Sequence, residues 1–127
     1  MSGYRDGYKL EKAAQHALED DGYWVIRAAG SKGTADLVAM KPGLVLGMAV
    51  ETLFVQCKLS GTMTPGDRNS LIALAVQFRG TAVCARWAKE GRAARTVEFR
   101  ELTGPGPKDW RPWSADHAME VTTTQWR

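Results

Sequence analysis

Between Lys9 and Asp21 the apolar residues Leu10, Ala13, Ala14, Ala17 and Leu18 recur at helical spacing, with acidic and polar side chains on the remaining positions. That period predicts an amphipathic helix, which Gly22 ends. Tyr23 to Ala28 is dense in aromatic and β-branched residues and predicts a first strand. Gly30-Ser31-Lys32-Gly33 supplies a flexible hairpin turn into a second strand from Ala35 to about Met40. Lys41-Pro42-Gly43 breaks that strand, and the glycine-punctuated segment to Val50 fits either a strand extension or a loop. A third strand follows from Thr52 to Lys58.

Thr64-Pro65-Gly66-Asp67 reads as a helix start: Thr64 as N-cap, Pro65 where a missing N–H costs nothing, and Asp67 reaching back as in a capping box. Leu71, Leu74, Ala75 and Phe78 give this helix its apolar stripe, and Gly80 fits its C-terminal cap. Thr81 to Trp87 is a fourth strand, and Thr96 to Leu102 a fifth, with Val97 and Phe99 alternating against Glu98 and Arg100. The order is α-β-β-β-α-β-β, an α/β domain over residues 1–102. Beyond Leu102 come Gly104, Pro105, Gly106, Pro107, Pro112 and three of the five tryptophans, so residues 103–127 read as an irregular Pro/Trp-rich appendage. Its Trp110, Trp113 and Trp126 are expected to dock on their own domain or a partner subunit rather than stack on bases.

The length of 127 residues suits one domain and excludes multi-domain mechanisms, and 44% hydrophobic with 24% charged residues is the balance of a folded soluble chain. No run approaches the roughly 18 apolar residues that span a bilayer, and MSGYRDGYKL has no apolar signal core, so the expected location is intracellular, without membrane partners. Cys57 and Cys84 stand apart in apolar runs, without a CxxC pair, and are expected to be reduced core residues rather than zinc ligands. The net charge of +3 permits a polyanionic partner. Its excess lies in residues 79–100, with 6 basic against 2 acidic side chains. Arg79, Arg86, Lys89, Arg92, Arg95 and Arg100 would make a basic surface if several shared a face; a solvated strand edge is the alternative.

Three charged or polar residues sit where strands normally carry apolar ones. Asp36 opens the second strand after the glycine loop, and Gln56 and Lys58 end the third on one face, opposite Leu53, Val55 and Cys57. Glu11 lies at the margin of the first helix's stripe. Singly, each suits a loop cap, a solvated strand face or a helix surface. Together they supply what phosphodiester hydrolysis needs: oxygen ligands for a hard divalent cation and a neighbouring ammonium. Asp36 would be the anionic ligand, Gln56 a neutral amide oxygen, the backbone carbonyl of Cys57 a further donor, and Lys58 the cation. The loop from Gly30 to Thr34 lacks phosphate-loop spacing, but lets Ser31, Lys32 and backbone N–H groups approach a phosphate.

Glu11-Lys12, GYWVIRAAGSKGTADLVA (Gly22 to Ala39), LFVQCK (Leu53 to Lys58) and TAVCARW (Thr81 to Trp87) together resemble the archaeal-type Holliday junction resolvases of the PD-(D/E)xK nuclease superfamily. The resemblance covers about Tyr4 to Leu102. It implies a restriction-endonuclease-like αβββαβ core with a mixed central sheet flanked by helices, and a homodimer that makes Mg²⁺-dependent paired cuts in branched DNA, with Mn²⁺ as substitute. It also implies metal binding by Glu11, Asp36 and Gln56, catalytic assistance from Lys58, and phosphate contacts or support from Lys12, Arg27 and Ser31. One position departs from the pattern: the family's E-x-K glutamate is Gln56 here, which removes a full charge and is expected to weaken Mg²⁺ binding unless Glu11 compensates. A nuclease of this fold acting on other branched or duplex DNA, and a structured-DNA-binding protein without cleavage, are the alternative readings.

Overall fold

The computed structural model of the protein describes residues 2–28, 34–42, 51–88 and 96–113, with side chains from residue 6 onward. Helix α1 is Ser2–Asp20, and strands β1 to β3 are Trp24–Arg27, Leu37–Lys41 and Glu51–Cys57. Helix α2 is Pro65–Gln77, and β4, β5 and β6 are Thr81–Trp87, Val97–Leu102 and Trp110–Trp113. The strands form one sheet in the order β1-β2-β3-β4-β5-β6, antiparallel throughout except for the parallel pair β3 and β4. A parallel neighbour requires the chain to travel back along the sheet, and α2 is that crossover. The mixed sheet between two helices is the α/β architecture expected from the sequence.

Each helix covers one face. Ala14 and Leu18 of α1 pack with Leu37, Ala39, Leu53, Val55, Val83 and Ala85, while Leu71 and Ala75 of α2 pack with Phe54, Ala82 and Cys84. Sandwiching explains why Leu53, Phe54 and Val55 are all buried, where a half-exposed strand would alternate. The single core-facing side assigned to β3 is therefore corrected. Leu53, Val55 and Cys57 face α1, and the alternate parity carrying Phe54 and Gln56 faces α2 rather than solvent. Each fully buried leucine, such as Leu10, Leu37 or Leu71, contributes about 1.5–3 kcal/mol to holding the layers together.

Helix α1 begins at Ser2 rather than Lys9: Tyr8 and Lys9 are exposed, so the stretch just before Leu10 carries no apolar stripe for periodicity to report. At the start of α2 the Thr64 hydroxyl accepts the Asp67 N–H at 3.1 Å, as expected. The Asp67 carboxylate, however, is bonded by Lys58. At the end of α2 the left-handed residue is Arg79, at φ 57°, not Gly80. Arg79 N–H reaches Val76 O at 3.2 Å and Gly80 N–H reaches Ala75 O at 2.7 Å, a Schellman closure. Gly80 is required for a different reason: a Cβ there would stand 2.6 Å from the Phe54 ring and 2.9 Å from Thr52 O.

The expected irregular appendage is partly sheet. Thr103 N–H bonds Asp109 O, and the Asp109 carboxylate accepts the Gly106 N–H at 2.9 Å, closing a tight hairpin that returns Trp110–Trp113 along β5. Pro112 argued against a strand, but β6 is an edge, where proline is tolerated. Trp113 packs edge-on against Tyr23 and Phe99, at 6.0 and 5.6 Å between ring centres, so this tryptophan docks on its own domain. Trp126 lies outside the described residues.

Candidate functional site

Antiparallel pairing sets Leu37 opposite Val55, which brings the entry of β2 beside the exit of β3. Asp36 sits at that junction, held from three sides. Its N–H donates to Val55 O at 2.8 Å, its carbonyl accepts the Ala28 N–H at 2.9 Å, and its Oδ2 accepts the Cys57 N–H at 2.8 Å. The last is a charge-assisted bond that fixes the carboxylate's orientation and leaves Oδ1 outside it. Gln56 follows on β3. Its Oε1 is buried and meets no hydrogen-bond donor, a situation that costs about 1–3 kcal/mol unless another group satisfies it.

Lys58 leaves the sheet as β3 ends, its N–H bonded to Ala85 O at 3.0 Å. Its Nζ lies 2.9 Å from Asp67 Oδ2 in the first turn of α2, and this ammonium holds the Asp67 carboxyl below the usual carboxylate range, by hydrogen bond first and by charge second. Asp67 is the residue that sequence reasoning missed as part of this site. Its visible role as a helix opener concealed it, although a crossover helix that starts close behind β3 returns its first turn toward Lys58.

Glu11 approaches from α1. Its Oε1 is 3.3 Å from Arg27 Nη2, and the same guanidinium lies 4.9 Å from the centre of the Tyr8 ring. Arg27 thus supports Glu11 rather than standing free, and Glu11 Oε2 is not part of that pair. Lys12, the next residue, is half-buried. Cys57 links the two carboxylates: burial pushes its thiol up, and the charges of Asp36 and then Glu11 push it further. It is a neutral packing residue, as is buried Cys84, and both are free of disulfides. Ser31 and Lys32 lie outside the described residues.

Among the described residues no three His, Cys, Asp or Glu side chains converge as a ligand cluster. The donors are two carboxylates, the Gln56 amide oxygen and the Cys57 carbonyl, all hard oxygens of the kind Mg²⁺ takes. The orphaned Gln56 Oε1 fits a cation, since a metal would satisfy an oxygen that no protein donor reaches.

Of the basic residues expected to form a surface over 79–100, two in the described residues are engaged within the domain. Arg86 is buried, at 7% exposure, because β4 is central, and its Nε lies 3.2 Å from Glu98 Oε1. Arg100 shares that oxygen at 3.2 Å and stacks 3.7 Å above the Trp110 ring. Lys89, Arg92 and Arg95 lie outside the described residues.

An antiparallel β1-β2-β3 meander, a helical crossover to a parallel β4, and an acid, an amide and a lysine gathered where β2 begins and β3 ends define a restriction-endonuclease-like domain. The family model described as archaeal Holliday junction resolvase (Hjc) matches residues 2–105, and the chain belongs to that family. It is 42% identical over 81 residues to the crossover junction endodeoxyribonuclease Hjc of Methanocaldococcus jannaschii, covering 61% of this chain and 55% of the relative. The chain therefore spans about half the length of that relative. The fold is shared with Archaeoglobus fulgidus Hjc, a Holliday junction resolvase, at a TM-score of 0.52 and 20% identity over 72% of each chain.

Proposed function

We propose that this protein is an endonuclease that resolves four-way DNA junctions by metal-dependent phosphodiester hydrolysis. The observation that carries the reading is the pairing of Asp36, locked by the Cys57 N–H, with the unsatisfied oxygen of Gln56 at the open end of β2 and β3. Family membership supports the substrate.

Asp36 Oδ1, Gln56 Oε1, Glu11 Oε2 and the Cys57 carbonyl would hold Mg²⁺, with Mn²⁺ as substitute. When bound, the ion supplies Lewis-acid stabilisation of the phosphoryl oxygens and a more acidic water. The chain's own residues do the rest. Arg27 orients Glu11, the Cys57 N–H orients Asp36, and Lys58, tethered to Asp67 at 2.9 Å, presents an ammonium to charge developing on phosphorus. Lys12, Ser31 and Lys32 are assigned to strand phosphates flanking this centre.

Paired cuts on symmetry-related strands require two copies of the centre, so the working unit is a twofold homodimer. Val76 and Phe78, at 72% and 60% exposure on the outer side and end of α2, support that helix as the contact. Asp36→Asn keeps an oxygen for the Cys57 N–H and removes the charge, so junction binding should persist while metal-dependent cleavage falls by several hundredfold or more. Cleavage of a labelled four-way junction beside flap and linear duplexes measures this. Equal cutting by parent and variant sinks the assignment, and preference for flaps or ends shifts the substrate to the other branched-DNA reading.

A further inference from the structure

The α2 face of the sheet holds a second concentration of charge. Cys84 is paired in register with Gln56 on one side and Arg100 on the other, so the three form one row across β3, β4 and β5. Helix α2 lowers Arg68 onto this row, one residue after the Asp67 that holds Lys58. Arg68, Cys84, Arg100, Trp110 and the Gly61-Thr62 segment line a cavity of about 80 Å³.

Arg68 is 6% exposed, and its Nη1 is buried with no hydrogen-bond partner. Its neighbours each reach a carboxylate, two of them the same one. Glu98 Oε1 serves both Arg86 and Arg100, and Asp67 serves Lys58. Among the described residues around Cys84 there are four cations, Arg68, Arg86, Arg100 and Lys58, and two carboxylates, Glu98 and Asp67. A buried guanidinium requires an anion, and its forked donors match the oxygens of a phosphate. The cavity has room for two or three waters of about 30 Å³ each, far below the roughly 300–1,000 Å³ that buries an organic ligand. One tetrahedral oxyanion fits and a nucleotide does not.

We propose that this cavity is a phosphate subsite, in which Arg68 and Arg100 hold one phosphate group of the DNA strand whose scissile bond lies at Asp36 and Gln56. The DNA source rests on the nuclease reading above; the oxyanion chemistry does not. The full-length chain is tested as the parent, as Arg68→Met and as Arg68→Lys, with folding checked by circular dichroism. Inorganic phosphate should raise the melting temperature of the parent, leave Arg68→Met unmoved, and act weakly on Arg68→Lys, which keeps the charge without the fork. Four-way junction binding in EDTA should weaken roughly tenfold in Arg68→Met, as loss of a charge-assisted hydrogen bond does, and the log–log salt slope should fall by about 0.9. A phosphate response without any change in junction affinity or slope would assign the cavity to free phosphate and overturn the DNA source. No phosphate response in the folded parent, with unchanged junction binding in the variants, overturns the subsite. If Arg68→Met does not fold, Arg68→Lys carries both arms: a weaker phosphate response and weaker junction binding at an unchanged salt slope are expected, and parent-like behaviour in both overturns the subsite. Failure of the nuclease reading shows separately, as absence of metal-dependent cleavage by the parent, and leaves the phosphate-dependent melting arm intact.

Discussion

Gln56→Glu tests the metal assignment through stability, independently of catalysis. Without a divalent cation the substitution places a carboxylate where a buried amide oxygen has no donor, close to a strand end already occupied by Asp36. Taking a carboxylate out of water costs several kcal/mol, reduced here because the residue as a whole is only half-buried, so a loss of about 2–3 kcal/mol is expected in EDTA. For a chain of this size that is a fall in melting temperature of about 6–15 °C. Mg²⁺ works against that loss, because a full charge now faces the ion. At a concentration a hundred times the variant's dissociation constant, binding stabilises the folded variant by about 2.7 kcal/mol, and with tenfold weaker binding the parent gains about 1.4 kcal/mol, so roughly half of the deficit between them is recovered. The assay is thermal unfolding of parent and variant in EDTA and in excess Mg²⁺, with calorimetric titration expected to show Mg²⁺ binding at least tenfold tighter in the variant. Gln56→Leu is the control: it deletes the orphaned oxygen, should be neutral or slightly stabilising in EDTA, and should lose the Mg²⁺ response. A Gln56→Glu deficit of equal size with and without Mg²⁺ refutes the reasoning, since it would mean that the Gln56 oxygen faces protein and not a cation.

Two further outcomes concern α2. Asp67→Asn removes a half-exposed ion pair and a carboxylate from a helix N-terminus, for a loss of about 0.5–1 kcal/mol at neutral pH by urea unfolding. Because Lys58 holds the folded Asp67 carboxyl below its unfolded value of about 3.9, the pair's contribution is complete above that value and is lost as pH falls through the folded one. Parent and variant should therefore converge in strong acid, and a difference that persists there would place the effect elsewhere than in the charge. Arg79→Gly relieves the left-handed residue that closes α2 and should stabilise by about 0.5–1 kcal/mol, read as a higher denaturant midpoint at unchanged slope. An unmoved or lower midpoint would mean that the Arg79 side chain contributes more than its backbone costs.

Strand identity was legible wherever burial left a local period. Thr81 to Trp87 is bounded as read, and β1, β2, β3 and β5 shift by only a residue or two, since apolar runs between turn residues report the sheet directly. Three features were not legible, each for a reason of distance. In α1 the exposed Tyr8 and Lys9, before Leu10, leave no apolar stripe. Strand β6 depends on Asp109 drawing Gly104 and Gly106 into a turn, and Asp109 would stand 2.8 Å from a Cβ on Gly104, a constraint invisible in a Gly/Pro-rich composition. Asp36, Gln56 and Lys58 were identifiable because strand parity and motif order locate them. The engagement of Lys58 by Asp67, and of Glu11 by Arg27, belongs to crossover geometry and to helix-on-sheet packing.

The same distance argument bears on the segment charges. Residues 79–100 hold the basic excess along the chain, yet among the described residues Arg86 and Arg100 share Glu98 at the α2 face. Arg68 belongs to a nearly balanced segment, and yet its Nη1 is left buried and unpartnered, because Asp67 beside it turns to Lys58. Helical geometry forces that division, since adjacent helix residues point about 100° apart, and one carboxylate cannot serve both Lys58 at the end of β3 and Arg68 over β4. Glu98 is committed as well, its Oε1 already shared by two guanidinium groups. The proposed phosphate contact thus follows not from the sum of charges in a segment but from which cation the register leaves without a carboxylate. Among the described residues buried on the α2 face that criterion selects Arg68, a residue that composition gave no reason to notice.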